Sequence, residues 1–245
     1  MTTLSVNLNK FALVRNSRGS EMPLVTTIAR RCIQAGCRGI TVHPRPDQRH
    51  ATYHDVEELT ALCREFPGIE SNIEGNPIPR FMEQVLKTKP DQCTLVPDAA
   101  NQLTSDHGWD LQKDTTELAG IIDALRKAGI RVSLFLDPNP LANIDKAWDL
   151  GADRIELYTE SYAAAFERHQ HELVISDFQK AAAYAQSLGL GVNAGHDLNL
   201  HNLPFFLCSI PGILEVSIGH ALVCDAWDFG LEETVRRYVK IVGQQ

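Results

Sequence analysis

A single α/β domain, a (β/α)8 TIM barrel with extra helices in its βα loops, is the fold this chain predicts over residues 1–245. Three observations predict it. Short β-rich runs alternate eight times with segments able to form helices, and no linker interrupts them. One phrase recurs, an amphipathic helix closed by glycine and followed within two or three residues by a strand. It reads Gln34-Ala-Gly36, Lys127-Ala-Gly129, Asp149-Leu-Gly151 and Ser187-Leu-Gly189, and glycine suits the left-handed position that ends a helix. The length is also close to the roughly 250 residues that such barrels commonly fill as one unit.

In chain order, Leu-Ser-Val-Asn-Leu-Asn at 4–9 opens the barrel as its first strand. An amphipathic helix at 24–35 leads through Gly36 to the second strand, 39–43. A helix at 56–65 precedes the third strand, 69–74, and one at 80–87 precedes the fourth, 92–97. The helix at 115–128 ends near Gly129 and feeds the fifth strand, 131–137. Helices at 144–150 and 173–188 lead to strands at 154–159 and 191–196, sixth and seventh without a break in the alternation. An eighth strand at 215–220 and a helix at 231–242 complete the ring. An open doubly wound sheet would ask for a Gly-rich dinucleotide fingerprint after the first strand; Asn-Lys-Phe stands there instead. Two connections are long. The first, 97–113, is polar and turn-forming and is expected to be a lid; the second, 159–176, is expected to hold an extra helix.

Composition narrows the partners. Apolar residues make up 44% of the chain, enough for a substantial core, so disorder is excluded. A net charge of −8 without a long basic run argues against nucleic acid or an anionic membrane as partner. An anionic small substrate remains open, because a local arginine cluster can hold phosphate. The six cysteines form no C-x-x-C pair, and most sit in apolar contexts as core residues do. The N-terminus lacks the pattern of a signal peptide, and no run approaches the ~20 apolar residues of a membrane span. A reduced, soluble, cytoplasmic protein is expected.

The histidines carry the chemistry. Three strand-like runs end in His43, His196 and His220, and a fourth ends in Glu74. The carboxyl ends of barrel strands form the active-site face, so three imidazoles and a carboxylate are expected in one pocket, suited to repeated proton transfer. His43 opens His43-Pro-Arg45-Pro-Asp47-Gln-Arg49-His50, in which Arg45 and His50 suit anion capture; Arg49 also fits a simple pairing with Asp47. Glu74 reads either as a general base or as the partner of an arginine in the neighbouring loop. Gly195 beside His196 allows a ligand or a backbone to come close, and Asp197 fits a helix cap. Gly219 and His220 fall where the backbone amides after strands 7 and 8 form the usual phosphate site.

Strand alternation sends Asn7 and Asn9 to one side, toward the barrel mouth. Lys10 fits an imine-forming nucleophile, a substrate contact or a surface charge, and the sequence favours the last. Arg18 is able to reach an anion, whereas Arg15 reads as structural. Asp137 and Glu156 read as strand-borne acids closing internal ion pairs. His54, His169, His171 and His201 lack strand-end placement and read as ordinary helix or surface residues.

These residues together resemble the pyridoxine 5′-phosphate synthase family of the deoxyxylulose-dependent vitamin B6 route, over essentially the whole length. The marks are Asn7-Leu-Asn-Lys-Phe-Ala-Leu-Val-Arg-Asn-Ser-Arg18-Gly, Gly39-Ile-Thr-Val-His43-Pro-Arg45, Leu95-Val-Pro-Asp, Val192-Asn-Ala-Gly-His196 and Ile218-Gly-His220-Ala. The resemblance implies a homo-octamer of barrels with added helices, working without metal or organic cofactor. It implies two phosphorylated substrates, 1-deoxy-D-xylulose 5-phosphate and 3-amino-2-oxopropyl phosphate. Carried over by motif, His43 and Glu74 accept protons and His196 donates one. Asn7, Arg18, Asp197, Gly219 and His220 hold the aminoketone phosphate; Asn9, Lys10, Arg45, His50 and Thr104 hold the sugar phosphate. Many members carry Asp-His in place of Asn9-Lys10, and often Gly at position 197, so a backbone contact is expected of Asp197. The rival readings are a phosphosugar aldolase or isomerase with an imine on Lys10, a zinc hydrolase, and a non-catalytic phosphate-ligand sensor.

Overall fold

The computed structural model describes residues 1–99, 102, 104–113 and 115–244. Eight parallel strands close in sequence order, and the last returns to the first. They are β1 (Thr3–Asn7), β2 (Gly39–Val42), β3 (Glu70–Gly75), β4 (Gln92–Leu95), β5 (Arg131–Leu136), β6 (Arg154–Tyr158), β7 (Gly191–Gly195) and β8 (Ile213–Ile218). Among the described residues, eight helices follow the strands one apiece: α2 (Val25–Gln34), α3 (Tyr53–Arg64), α4 (Pro79–Thr88), α5 (Thr116–Lys127), α6 (Ala142–Asp149), α8 (His171–Ser187), α9 (Leu203–Ser209) and α11 (Leu231–Val242). Three more stand in the loops after β1, β6 and β8: α1 (Asn9–Asn16), α7 (Glu160–Glu167) and α10 (His220–Phe229). The extra helix expected in 159–176 is α7.

The outer shell holds the hydrophobic core. Helix α2 buries Val25, Ile28, Ala29, Cys32 and Ile33, the three-and-four spacing of one helical face. Helix α3 starts with a capping box in which Thr52 and Asp55 satisfy each other's backbone N–H groups. The glycines of the recurring phrase, Gly36, Gly129, Gly151 and Gly189, all have positive φ. Alternate strand residues such as Val132, Leu134 and Leu136 join the core against these helices.

The other strand face, inside the barrel, is polar. Ser5, Thr41, Asn72, Gln92, Thr94, Asn193 and Glu215 are all buried. They bond across strands: Ser5 with Thr41 at 2.7 Å, Thr94 to Asn72 at 3.1 Å, and Arg131 Nε to Gln92 at 2.9 Å. Most barrels fill this space with branched aliphatic residues. Here the interior is a hydrogen-bonded network, so the apolar contribution to stability comes from the shell between strands and helices.

Two local expectations are corrected. The first strand stops at Asn7, whose Oδ1 accepts the N–H of Asn9 at 3.0 Å; that Asx turn ends the strand and places Asn9 at the start of α1. Helix α9 was not read from sequence, because Leu-Pro-Phe-Phe-Leu-Cys is apolar on every side and shows no helical period. All six cysteines are free thiols, and Cys32, Cys37, Cys63 and Cys93 are buried. Among the described residues, no helix is long and apolar enough to cross a membrane.

Candidate active site

The carboxyl ends of the strands surround a cavity of about 530 Å³. Twelve residues singled out in the sequence line it: Asn7, Asn9, Lys10, His43, Arg45, His50, Glu74, Thr104, His196, Asp197, Gly219 and His220. Arg18 is not among them; it is exposed in the turn after α1, its N–H donated to the Arg15 carbonyl. Arg15 bonds Asp55 and the His50 carbonyl. Of the long connection 97–113, residues 100, 101 and 103 lie outside the described residues; Thr104 and Ser105 reach the cavity.

One wall is acidic. Glu74 on β3 is buried and accepts from Asn7 Nδ2 at 3.4 Å, Asn72 Nδ2 at 3.4 Å and Ser217 Oγ at 3.5 Å. No arginine pairs with it among the described residues. Burial pushes its carboxyl up to about 8, and the charges of Glu215 and Asp98 add to the shift. Glu156 on β6 also lines the cavity, and its Oε2 has no hydrogen-bond partner among the described residues. Burial, then Glu74 and Glu215, hold it well above the usual carboxylate range. Two carboxyls in one dry pocket do not both ionise near neutrality.

Glu156 was expected to close an ion pair, and among the described residues it does not. Arg154 lies two residues lower on the same strand face, about 6.6 Å away along the strand, and donates instead to Asn193 at 3.0 Å. Gly195, paired with Tyr158 in the β6–β7 register, leaves room for this carboxyl: a Cβ there would lie 2.2 Å from Glu156 Oε1.

The facing wall is basic and largely dehydrated. His43 follows β2, and its backbone N–H donates to Asn9 Oδ1 at 2.9 Å. Burial, then the charges of Arg45, His50 and Arg49, keep the His43 imidazole well below its ordinary value, so it is neutral and able to accept a proton. His50 is pushed down to about 4, first by burial and then by Arg45 and Arg49. Its Nδ1 is buried without a partner among the described residues. Arg45 is fixed by Asp98 at 3.1 Å, and Asp98 also accepts from Ser105 Oγ at 2.8 Å. Arg49 does contact Asp47, at 3.7 Å, and also bonds the Gln102 carbonyl beside the cavity.

His196 closes the pocket just beyond β7. Its φ is +81° and that of Asp197 is +58°, so the chain turns sharply. The ring is held at three places: Nδ1 lies 2.7 Å from Asp197 Oδ2, Nε2 lies 3.1 Å from Thr104 Oγ1, and Tyr158 meets it edge-on with centroids 5.0 Å apart. Gly219 precedes α10 and His220 begins it, so the unpaired first-turn N–H groups of that helix open on the cavity.

The sequence reading gave Ser217 no role and assigned Asp98 no place in the site, and it expected of Glu156 an ion pair rather than a place in the cavity wall. The available signal was strand alternation: Glu156 and Ser217 are strand residues that face the same cavity as Glu74. Asp98 gave no such signal, because it lies in an irregular loop. Among the described residues, no group of three or more His, Cys, Asp or Glu side chains is arranged to hold a metal ion.

Comparison with known proteins gives the family and the fold. Residues 4–244 match the family model described as pyridoxal phosphate biosynthesis protein PdxJ. The pyridoxine 5′-phosphate synthase of Xanthomonas axonopodis pv. citri is 53% identical, over 98% of this chain and 96% of that protein. The protein of the same name from Parabacteroides distasonis is 51% identical, over 97% and 98%. Among solved structures, 3-keto-L-gulonate-6-phosphate decarboxylase from Vibrio cholerae aligns with a TM-score of 0.67 at 10% identity, covering 99% of this chain and 98% of that one. Orotidine 5′-monophosphate decarboxylase from Methanocaldococcus jannaschii aligns at 0.65 and 13% identity, covering 99% of each. At such identities the likeness is one of fold alone.

Proposed function

The chain belongs to the PdxJ family of pyridoxal phosphate biosynthesis proteins, and on that premise we propose the reaction its cavity performs. It condenses 1-deoxy-D-xylulose 5-phosphate with 3-amino-2-oxopropyl phosphate to pyridoxine 5′-phosphate, phosphate and water. The observation that carries this reading is the meeting of His43, Glu74 and His196 around one cavity.

Ring closure from two phosphorylated ketones requires imine formation, phosphate elimination and loss of water. Each step takes a proton from carbon, nitrogen or oxygen and delivers one to a departing oxygen. Neutral His43 accepts such protons. Glu74 accepts them as its carboxylate, a strong base because its pocket disfavours the charge, and such groups each contribute about 10²–10⁴-fold. His196 donates from Nε2. Glu156 supplies a second carboxyl facing the same space, able to stabilise positive charge on nitrogen when ionised.

The amides of Gly219 and His220 and the backbone of Asp197 hold one phosphate, as helix N-termini do. Lys10, Arg45, His50 and Thr104 hold the other substrate. Asn7 and Asn9 set the positions of Glu74 and His43 through their amides. The loop carrying Thr104 covers reactive enamines from water. We place the activity in one barrel domain of a cytoplasmic homo-octamer working without metal or organic cofactor. Exposed Leu13, Val14, Trp227 and Phe229 on α1 and α10 support assembly through the added helices.

The test is to mix both phosphorylated ketones with the protein and follow product fluorescence and phosphate release. Wild type forms product, and Glu74→Gln or His196→Asn loses nearly all of it. Normal turnover in either variant removes that residue from the mechanism, and no product from wild type overturns the reading.

A further inference from the structure

We propose that Asp197 is a positioning residue for His196: its side-chain carboxylate, and not only its backbone, holds the Nδ1 proton and aims Nε2 at the reacting oxygen. The proposal rests on the reading of His196 as proton donor. The carboxylate oxygen lies 2.7 Å from Nδ1, within the range of a charge-assisted bond. A carboxylate only accepts, so Nδ1 must carry a hydrogen. The neutral ring then presents its lone pair at Nε2, 3.1 Å from Thr104 Oγ1. The protonated ring donates from that same atom.

The backbone is built to hold this contact. His196 and Asp197 both take positive φ, which side-chain-bearing residues adopt rarely. Thr159 donates its backbone N–H to the Gly195 carbonyl at 3.1 Å and its hydroxyl to the carbonyl of His196, and Asn202 Nδ2 donates to the Asp197 carbonyl at 3.0 Å. Three bonds thus pin the loop that points one side chain at the other.

The carboxyl stays ionised for the task. The hydrogen bond from His196, with the charges of His196, His220 and Lys10, holds Asp197 below the usual carboxylate range. Lys10 from α1 is therefore also the cation that lets an acid sit beside bound phosphate. In the step itself, the Nε2–H bond breaks as a bond to hydrogen forms on the departing oxygen. The ring returns to its neutral Nδ1–H form, and Asp197 takes up no proton.

The test combines two readings on the full-length enzyme. With histidine labelled in 15N, and His196 assigned by its loss in His196→Asn, wild type shows the Nδ1–H tautomer. In Asp197→Asn that preference is lost, and kcat falls about 10²-fold while KM for either ketone stays nearly unchanged. Asp197→Gly, which suits the positive φ and lacks the carboxylate, gives the same loss. Wild-type kcat in both variants, or an unchanged tautomer in them, overturns the proposal. If wild type forms no product, the synthase reading fails, and the ring measurement still decides whether Asp197 holds Nδ1.

Discussion

Glu74 shows how far a single side chain departs from its solution behaviour when a barrel buries it. Its carboxyl moves from an ordinary 4.5 to about 8, so between those values the folded chain holds a proton that the unfolded chain has released. Stability therefore falls as pH rises through that window. Glu156 and Glu215 shift the same way. Glu74→Gln is expected to raise Tm, little at pH 5 and most at pH 8 or above, by roughly 2–4 °C for each kcal/mol relieved. Calorimetry across that range checks it, and a gain that shrinks as pH rises would contradict the assignment. The sequence exposed this residue because it ends a β-rich run where two other such runs end in histidine, at the face where barrels carry their chemistry. It hid the role of Asp98, which comes from contacts made across loops, with Arg45 at 3.1 Å and Ser105 at 2.8 Å.

At the level of elements, strand alternation made the barrel legible, and irregular junctions did not. All eight strands fall within two or three residues of their expected limits, since buried parallel strands carry β-rich runs that glycine-ended helices frame. Helices α1 and α9 went unread: each is short and carries contiguous apolar residues, so no 3.6-residue period separates a wet face from a dry one. The β7 to α9 junction makes its own prediction. Gly195→Ala would put a methyl group against the Glu156 carboxylate. The strand cannot retreat from β6 and β8 without breaking its ladders, so the carboxylate must move. The expected result is a loss of about 1–3 kcal/mol in stability together with impaired turnover, measured by urea unfolding and by product formation. Unchanged values in both assays would show that the strand gives way instead.

For the molecule as a whole, the added helices matter as much as the barrel. Trp227 is 83% exposed on α10, which an isolated protomer has no reason to keep. Sedimentation is expected to find an assembly of eight at micromolar concentration, and Trp227→Glu to reduce its size. A wild type that sediments as a monomer would remove the octamer. The polar lumen has a separate bearing on how the cylinder is put together. Ring closure joins β1 to β8 from opposite ends of the chain, so it comes late. Until then, a gapped wall turns hydroxyls, amides and carboxylates toward solvent on its concave side. Most barrels at that stage would show oily staves; this one stays wetted, and unfinished copies have little reason to stick to one another.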